Sequence, residues 1–140
     1  MSEELKEHAA TVLVIDPLDR VYLSRRLGTP YYQAPGGKKE KGEFLEETAA
    51  RELQEETGLD REPTLFHRLE STSVLTGKTM VLLTFMAYFT WEELENMERT
   101  EPEKNGAWIP FSREYALANL NLLPGLRAAL EAWGGLDERP

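Results

Sequence analysis

A chain of 140 residues suits one domain, 1–140, with a core of its own. Its formal net charge of −9, without any basic block, excludes a nucleic-acid polymer as the main partner, because that affinity rests on Lys and Arg neutralising phosphates. The absence of cysteine excludes disulfide frameworks, thiolate metal sites and a cysteine nucleophile.

Taken in order, the apolar, β-branched run AATVLVI (Ala9 to Ile15) predicts a strand, and DPLD after it a turn. RVYLSRR then pairs back as a hairpin arm. LGTPYYQAPGG reads as loop, since Pro30, Pro35 and two glycines deny a helix. Phe44 to Thr57 is helical in composition, with Gly58 where a C-cap belongs. Leu65 to Leu75 and Thr79 to Trp91 form a long antiparallel hairpin around TGK. ERTEPEKNGA is a polar loop and WIPF a short strand. Arg113 to Leu120 and Leu126 to Trp133 are helices parted by Pro124 and Gly125. Strands on both sides of one central helix predict an α+β fold, a mixed sheet with helices packed on it. The acidic start MSEELKEHAATVLVI lacks the basic region and apolar core of a signal peptide, and no apolar run approaches a membrane span. A cytoplasmic protein with no membrane partner is expected.

The helix from Phe44 carries an unusual load of like charge. At about 100° per residue, Glu52, Glu55 and Glu56 share one arc of roughly 100°, while Leu45, Ala49 and Leu53 form an adjacent apolar stripe. Like charges at i and i+4, as in Glu52 and Glu56, cost about 0.2–0.5 kcal/mol without structural benefit. Clustered carboxylates are what a hard divalent cation such as Mg²⁺ requires, and Mg²⁺ combines a few carboxylates with water and substrate phosphates.

Counted from Gly37, the chain reads Gly, five residues, Glu43, seven residues, then Arg51-Glu52-Leu53-Gln54-Glu55-Glu56-Thr57-Gly58-Leu59. This resembles an unbroken Nudix box, and the lead-in APGGKKEKGE and the later EPEKNGAWIPF resemble the flanks found in MutT-like nucleoside triphosphate pyrophosphohydrolases. The resemblance implies the Nudix α/β/α sandwich with a mixed sheet. It implies that Glu52, Glu55 and Glu56, with the carbonyl of Gly36, hold Mg²⁺ or Mn²⁺. Arg51 would orient a box carboxylate, Glu43 would support it, and Gly58 and Leu59 would be structural. The implied reaction is metal-dependent attack of water on a phosphorus of a nucleoside diphosphate linked to another group, so Glu55 and Arg51 count as catalytic residues.

A general base is implied in the loop before the tryptophan strand, where Glu103 matches best and Glu98 and Glu101 compete. Arg25, Arg26 and Lys38 stand near the glycines as candidate phosphate ligands. Tyr31 and Tyr32 occupy a position where a ring could stack on a base, with Tyr32 the candidate. The partner expected is a small nucleotide, with the protein a monomer or homodimer. The first expectation is a nucleoside triphosphate, oxidised dNTPs included, giving monophosphate and pyrophosphate. Alternatives are ADP-ribose, other nucleoside diphosphate sugars or dinucleoside polyphosphates, and a binding module without turnover. The intact box disfavours the last. Ser73 replaces the proline of ADP-ribose relatives, and Val74 to Gly77 lacks the tyrosine of dinucleoside polyphosphate relatives.

Overall fold

The computed structural model describes residues 7–72, 76–98 and 102–137. The strands are β1 (Glu7–Ile15), β2 (Val21–Arg25), β3 (Tyr31–Gln33), β4 (Gly36–Lys38), β5 (Thr64–Thr72), β6 (Thr79–Tyr88), β7 (Ile109–Phe111) and β8 (Asn121–Leu122). The helices are α1 (Leu45–Thr57), α2 (Trp91–Leu94), α3 (Arg113–Asn119) and α4 (Pro124–Asp137).

β1 is the axis of the molecule. It runs parallel to β6 from Glu7↔Met80 to Ile15↔Tyr88, and its other edge takes β4 antiparallel at Ala9 to Thr11. Ala9 to Ile15 is buried throughout, which explains a continuous apolar run where a half-exposed strand would alternate. Ala10, Val12 and Val14 pack with Ala49 and Leu53 of α1, and Leu13 and Ile15 pack with Leu126, Leu130 and Trp133 of α4. The sheet thus lies between two helical layers, the mixed α/β/α arrangement expected.

The long hairpin forms as β5 and β6, paired from Thr64↔Met86 to Thr72↔Thr79. Ser73, Val74 and Leu75 lie outside the described residues. Trp91, read as the end of a strand, instead opens α2 after the cap Thr90, whose hydroxyl accepts from the Glu93 N–H.

The hairpin arm pairs back antiparallel to β1 as expected, at Ile15↔Val21, across a turn in which Asp16 accepts from Leu18 N and Arg20 N, and β2 then pairs with β7 and β3. Two further expectations are corrected. The loop LGTPYYQAPGG contains two strands, β3 and β4, which borrow partners from β2, β8 and β1. Pro124 and Gly125 do not precede the last helix but begin it. A proline is tolerated there because the first helical N–H has no intrahelical partner.

Candidate active site

α1 begins after Phe44, whose N–H donates to Glu47 Oε1 at 2.8 Å, and ends at Gly58, whose N–H donates to Gln54 O at 2.9 Å. Its Ala49 and Leu53 are fully buried against β1, and this anchorage turns the next stripe of the helix toward β4. Along β4 the ladder uses Val12 N to Pro35 O and Lys39 N to His8 O, 2.8 and 2.9 Å. By the alternation of antiparallel pairs, the N–H and C=O of Gly36 therefore face away from β1, toward the helix. The Gly36 N–H donates to Glu56 Oε2 at 2.7 Å, and the Gly36 carbonyl lies on that same edge.

Glu56 is buried, 6% exposed, and its own backbone carbonyl accepts from Trp108 Nε1 at 3.3 Å. Glu52 lies against Gly37 so closely that a Cβ there would sit 2.6 Å from its carboxylate. Gly36 has no room either, since its Cβ would meet Ala10 O at 2.5 Å. The two glycines let strand and helix approach without an intervening side chain.

Arg51 organises the carboxylates. Its Nε donates to Glu43 Oε2 at 2.7 Å and Nη2 to Glu43 Oε1 at 3.2 Å, while Nη1 reaches Glu52 at 2.8 Å and Glu55 at 3.0 Å. Nη2 also donates to the Lys38 carbonyl at 3.3 Å, and Nη1 lies 3.4 Å from Glu40 Oε1. Glu43 accepts in addition from Glu40 N and the Thr48 hydroxyl. These donors, Arg51 first, hold the Glu43 carboxyl down to about 2, and the carboxylates in turn raise the guanidinium well above its ordinary value.

The structure gives the box glutamates different settings. Glu56 is locked to β4, Glu52 is clamped between Arg51 and Gly37, and Glu55 is half exposed on Arg51. Among the described residues no three His, Asp or Glu converge in metal-chelating geometry. The donor set is nevertheless hard oxygen throughout, three carboxylates beside a strand-edge carbonyl, which suits Mg²⁺ or Mn²⁺.

On the far side of β4 a cavity of about 320 Å³ is lined by small and apolar residues, among them Ala9, Ala34, Met80, Leu82 and Leu126, and by Gly36, Gly37, Gln33, Arg26 and Lys38. Arg26 and Lys38 are thus brought to one cavity. Lys38 also pairs with Glu7 at 3.1 Å, a contact that holds the Glu7 carboxyl below its usual range. Arg25 is not at the cavity and donates to Thr29 O, and Tyr32 sets its ring edge-on to Phe111 at 5.7 Å.

Of the candidate bases, Glu103 is exposed on the turn 102–104, whose Lys104 carbonyl accepts from Leu27 N. Glu98 donates its N–H to Thr57 O at 2.8 Å, placing it at the C-terminus of α1 beside Gly58. Glu101 lies outside the described residues. Sequence reasoning passed over Gln33 and Asn105, which pair across the loop, Gln33 Nε2 donating to Asn105 Oδ1 at 2.6 Å. The one available signal was that Gln33 stands three residues before the Gly36 of the site.

The NUDIX domain model matches residues 5–128. A curated relative, a putative 8-oxo-dGTP diphosphatase of Bacillus subtilis, is 41% identical over 49 residues, which are 35% of this chain and 33% of the relative, so the match spans about a third of that protein. Among solved structures, the MutT protein of Methanosarcina mazei superimposes with a TM-score of 0.80 at 21% identity, covering 99% of this chain and 100% of that one. A MutT NUDIX hydrolase from Burkholderia pseudomallei gives 0.72 at 26% identity over 91% and 97%. An Ap4A hydrolase of C. elegans gives 0.74 at 18% over 93% and 96%. Among the described residues no helix is long and apolar enough to cross a membrane.

Proposed function

The chain belongs to the Nudix family, and from that premise we propose that it is a hydrolase of nucleoside triphosphates, oxidised dNTPs among them, giving monophosphate and pyrophosphate. The observation that carries this reading is the position of β4. Gly36 and Gly37 wall the cavity on one side and touch Glu56 and Glu52 on the other. A nucleoside in the cavity would therefore extend its phosphates past the glycines to the carboxylates. A volume of about 320 Å³ suits one nucleoside.

Nudix hydrolases work with divalent metal ions. In this chain Glu52, Glu55, Glu56 and the Gly36 carbonyl would hold Mg²⁺, with Mn²⁺ as a substitute. When bound, such an ion neutralises phosphate charge and makes water a better nucleophile at neutral pH. The chain's own groups do the rest. Arg51 fixes Glu52 and stores Glu55 within reach, and Glu56 ties the helix to β4, so that the carboxylates are ordered before substrate arrives. Arg26 and Lys38 meet phosphate charge at the cavity mouth. Glu103 takes the proton of the attacking water, with Glu98 the competing position.

The Bacillus relative's name and the MutT neighbours support a triphosphate substrate. The test is a panel of canonical and oxidised dNTPs, ADP-ribose, diphosphate sugars and dinucleoside polyphosphates, assayed with Mg²⁺. The highest kcat/KM is expected for a triphosphate. Faster turnover of ADP-ribose or a dinucleoside polyphosphate overturns the reading.

A further inference from the structure

At the C-terminal end of β4 the chain departs from its overall charge. Lysine stands at three of the four positions 38–41, in a protein whose formal net charge is −9. With Glu7, His8 and Glu40, these lysines line an open depression of about 290 Å³. Lys38 walls both this depression and the cavity beyond the glycines, so the two recesses adjoin at that residue.

The acidic members of the lining are already engaged. Glu7 lies 3.1 Å from Lys38 Nζ and 3.3 Å from Lys78 Nζ, and Glu40 lies 3.4 Å from Arg51 Nη1. Among the described residues neither Lys39 nor Lys41 forms an ion pair, and Lys39 Nζ donates to the Glu40 carbonyl at 3.4 Å. Their charge is left for a solute. The backbone that carries them is held in place, since Lys39 N donates to His8 O at 2.9 Å, Glu43 N to Glu40 O at 3.1 Å, and Arg51 Nη2 to Lys38 O at 3.3 Å. Gly42, at φ +86°, completes the turn in the left-handed region. The arginine that orders the carboxylates therefore also fixes the lysine loop.

We propose that this depression is an anion subsite for the far end of a phosphate chain, in which Lys39 and Lys41 hold phosphates lying beyond those at the glutamates, and that it takes free pyrophosphate and tripolyphosphate in its own right. This rests on the reading above, in which the phosphates run past the glycines toward Lys38. A lysine ammonium is a hydrated point charge on a flexible stem, suited to phosphate oxygens that present no fixed plane. Several such charges around one recess attract an anion more strongly the more charge it carries. The subsite thus reads the length of the phosphate chain.

The experiment titrates the full chain in EDTA, at about 0.15 M salt, with sodium orthophosphate, pyrophosphate and tripolyphosphate, read by calorimetry. It uses the unaltered protein, Lys39→Gln, Lys41→Gln and Arg68→Gln. Without a divalent ion the glutamates repel these anions, so binding reports the lysines. Tripolyphosphate is expected to bind about tenfold or more tighter than orthophosphate, and Lys39→Gln and Lys41→Gln each to weaken it by about fivefold. Arg68 carries a single charge on β5, two strands away from β4, and Arg68→Gln should change the affinity by less than about twofold. All three side chains are exposed, so the variants keep the fold, which circular dichroism checks. No binding, or equal affinity for the three anions, overturns the proposal, as does an equal loss in all three variants, the mark of net charge alone. None of these measurements needs turnover. If the nucleotide panel goes against a triphosphate while tripolyphosphate binds through Lys39 and Lys41, the triphosphate reading falls and the subsite stands. If the panel favours a triphosphate and neither lysine variant loses affinity, only the subsite falls.

Discussion

Arg51 holds Glu43 with two hydrogen bonds, 2.7 Å from Nε and 3.2 Å from Nη2, and reaches the box carboxylates with its remaining nitrogen. The pair is therefore a bracket between the start of the helix and its carboxylate face. One consequence is pH-dependent stability. The Glu43 carboxyl, ordinarily 4.5, is held at about 2 in the folded chain, chiefly by Arg51. A depressed folded value means the contribution is present above pH 4.5 and is lost as pH falls through about 2. Glu43→Gln is expected to lower the urea midpoint at pH 7, and the gap from the unaltered protein should close between pH 4.5 and 2. A gap of equal size at both ends of that range rules out the assignment.

The three glutamates of the helix face are expected to separate catalysis from stability. Glu55→Gln and Glu56→Gln should each lower Mg²⁺-dependent turnover by about 10³-fold or more, since a lost ligand removes several kcal/mol of transition-state stabilisation. Glu56→Gln should keep its melting temperature within a few degrees, because a glutamine oxygen still accepts the Gly36 N–H. Glu55 is half exposed and its loss should matter still less to folding. Near-normal turnover in either variant removes that residue from the metal site.

Gly36 and Gly37 should fail in different ways when given a methyl group. At Gly37 the new Cβ meets the Glu52 carboxylate at 2.6 Å, the end of a flexible side chain that can move aside. Gly37→Ala should therefore fold almost normally yet lose activity, as Glu52 is pushed off its Arg51 contact. At Gly36 the Cβ meets backbone, Ala10 O at 2.5 Å and Thr11 Cα at 2.8 Å. Gly36→Ala should cost about 1–3 kcal/mol of stability by forcing β4 from β1. Thermal melts beside kinetics separate the two, and equal destabilisation would contradict the contact geometry.

Proton transfer is tested by comparing Glu103→Gln with Glu98→Gln at saturating Mg²⁺. A general base contributes about 10²-fold or more, so the variant that loses this much turnover without a change in melting temperature marks the base. Glu103 is expected to be that residue. A full effect in Glu98→Gln, with Glu103→Gln unchanged, would move the role to the C-terminus of α1, where the Glu98 N–H caps Thr57 O.

The contiguous parts of this molecule were legible in the sequence and the discontinuous parts were not. Residues Leu45 to Gly58 show their own periodicity and their own C-cap, so a common arc for Glu52, Glu55 and Glu56 follows from helix geometry alone. The inequality among them does not, because the burial of Glu56 depends on β4, which is built from partners elsewhere in the chain. β3 and β4 are three residues each, β3 directly after Pro30 and β4 opening on two glycines after Pro35, so their strand character comes from β1, β2 and β8 and leaves no local pattern. The amide pair of Gln33 and Asn105 joins the end of β3 to a distant loop and was invisible for the same reason. Pro124 misled because a proline at the start of a helix and one that parts two helices look alike until the cap is seen.

The last prediction concerns which bond breaks. In the proposed binding mode, a nucleoside in the cavity would pass its phosphates over Gly36 and Gly37, which touch Glu56 and Glu52, so that the phosphates nearest the sugar would lie against the Glu52 and Glu56 edge and the terminal phosphate would extend toward Lys38. With the site's carboxylates gathered beside the inner phosphates, cleavage is expected between the α and β positions. The products should be nucleoside monophosphate and pyrophosphate, resolved by anion-exchange chromatography or phosphorus NMR. EDTA should abolish turnover and Mg²⁺ restore it. The rate should rise toward alkaline pH, where the attacking water gives up its proton more readily. Lys38→Ala should raise KM for a triphosphate by roughly 5–10-fold with little change in kcat, the signature of lost uniform binding. Orthophosphate and nucleoside diphosphate as first products would place the terminal phosphate, and not the inner ones, over the glutamates, and the substrate would have to bind in the opposite sense.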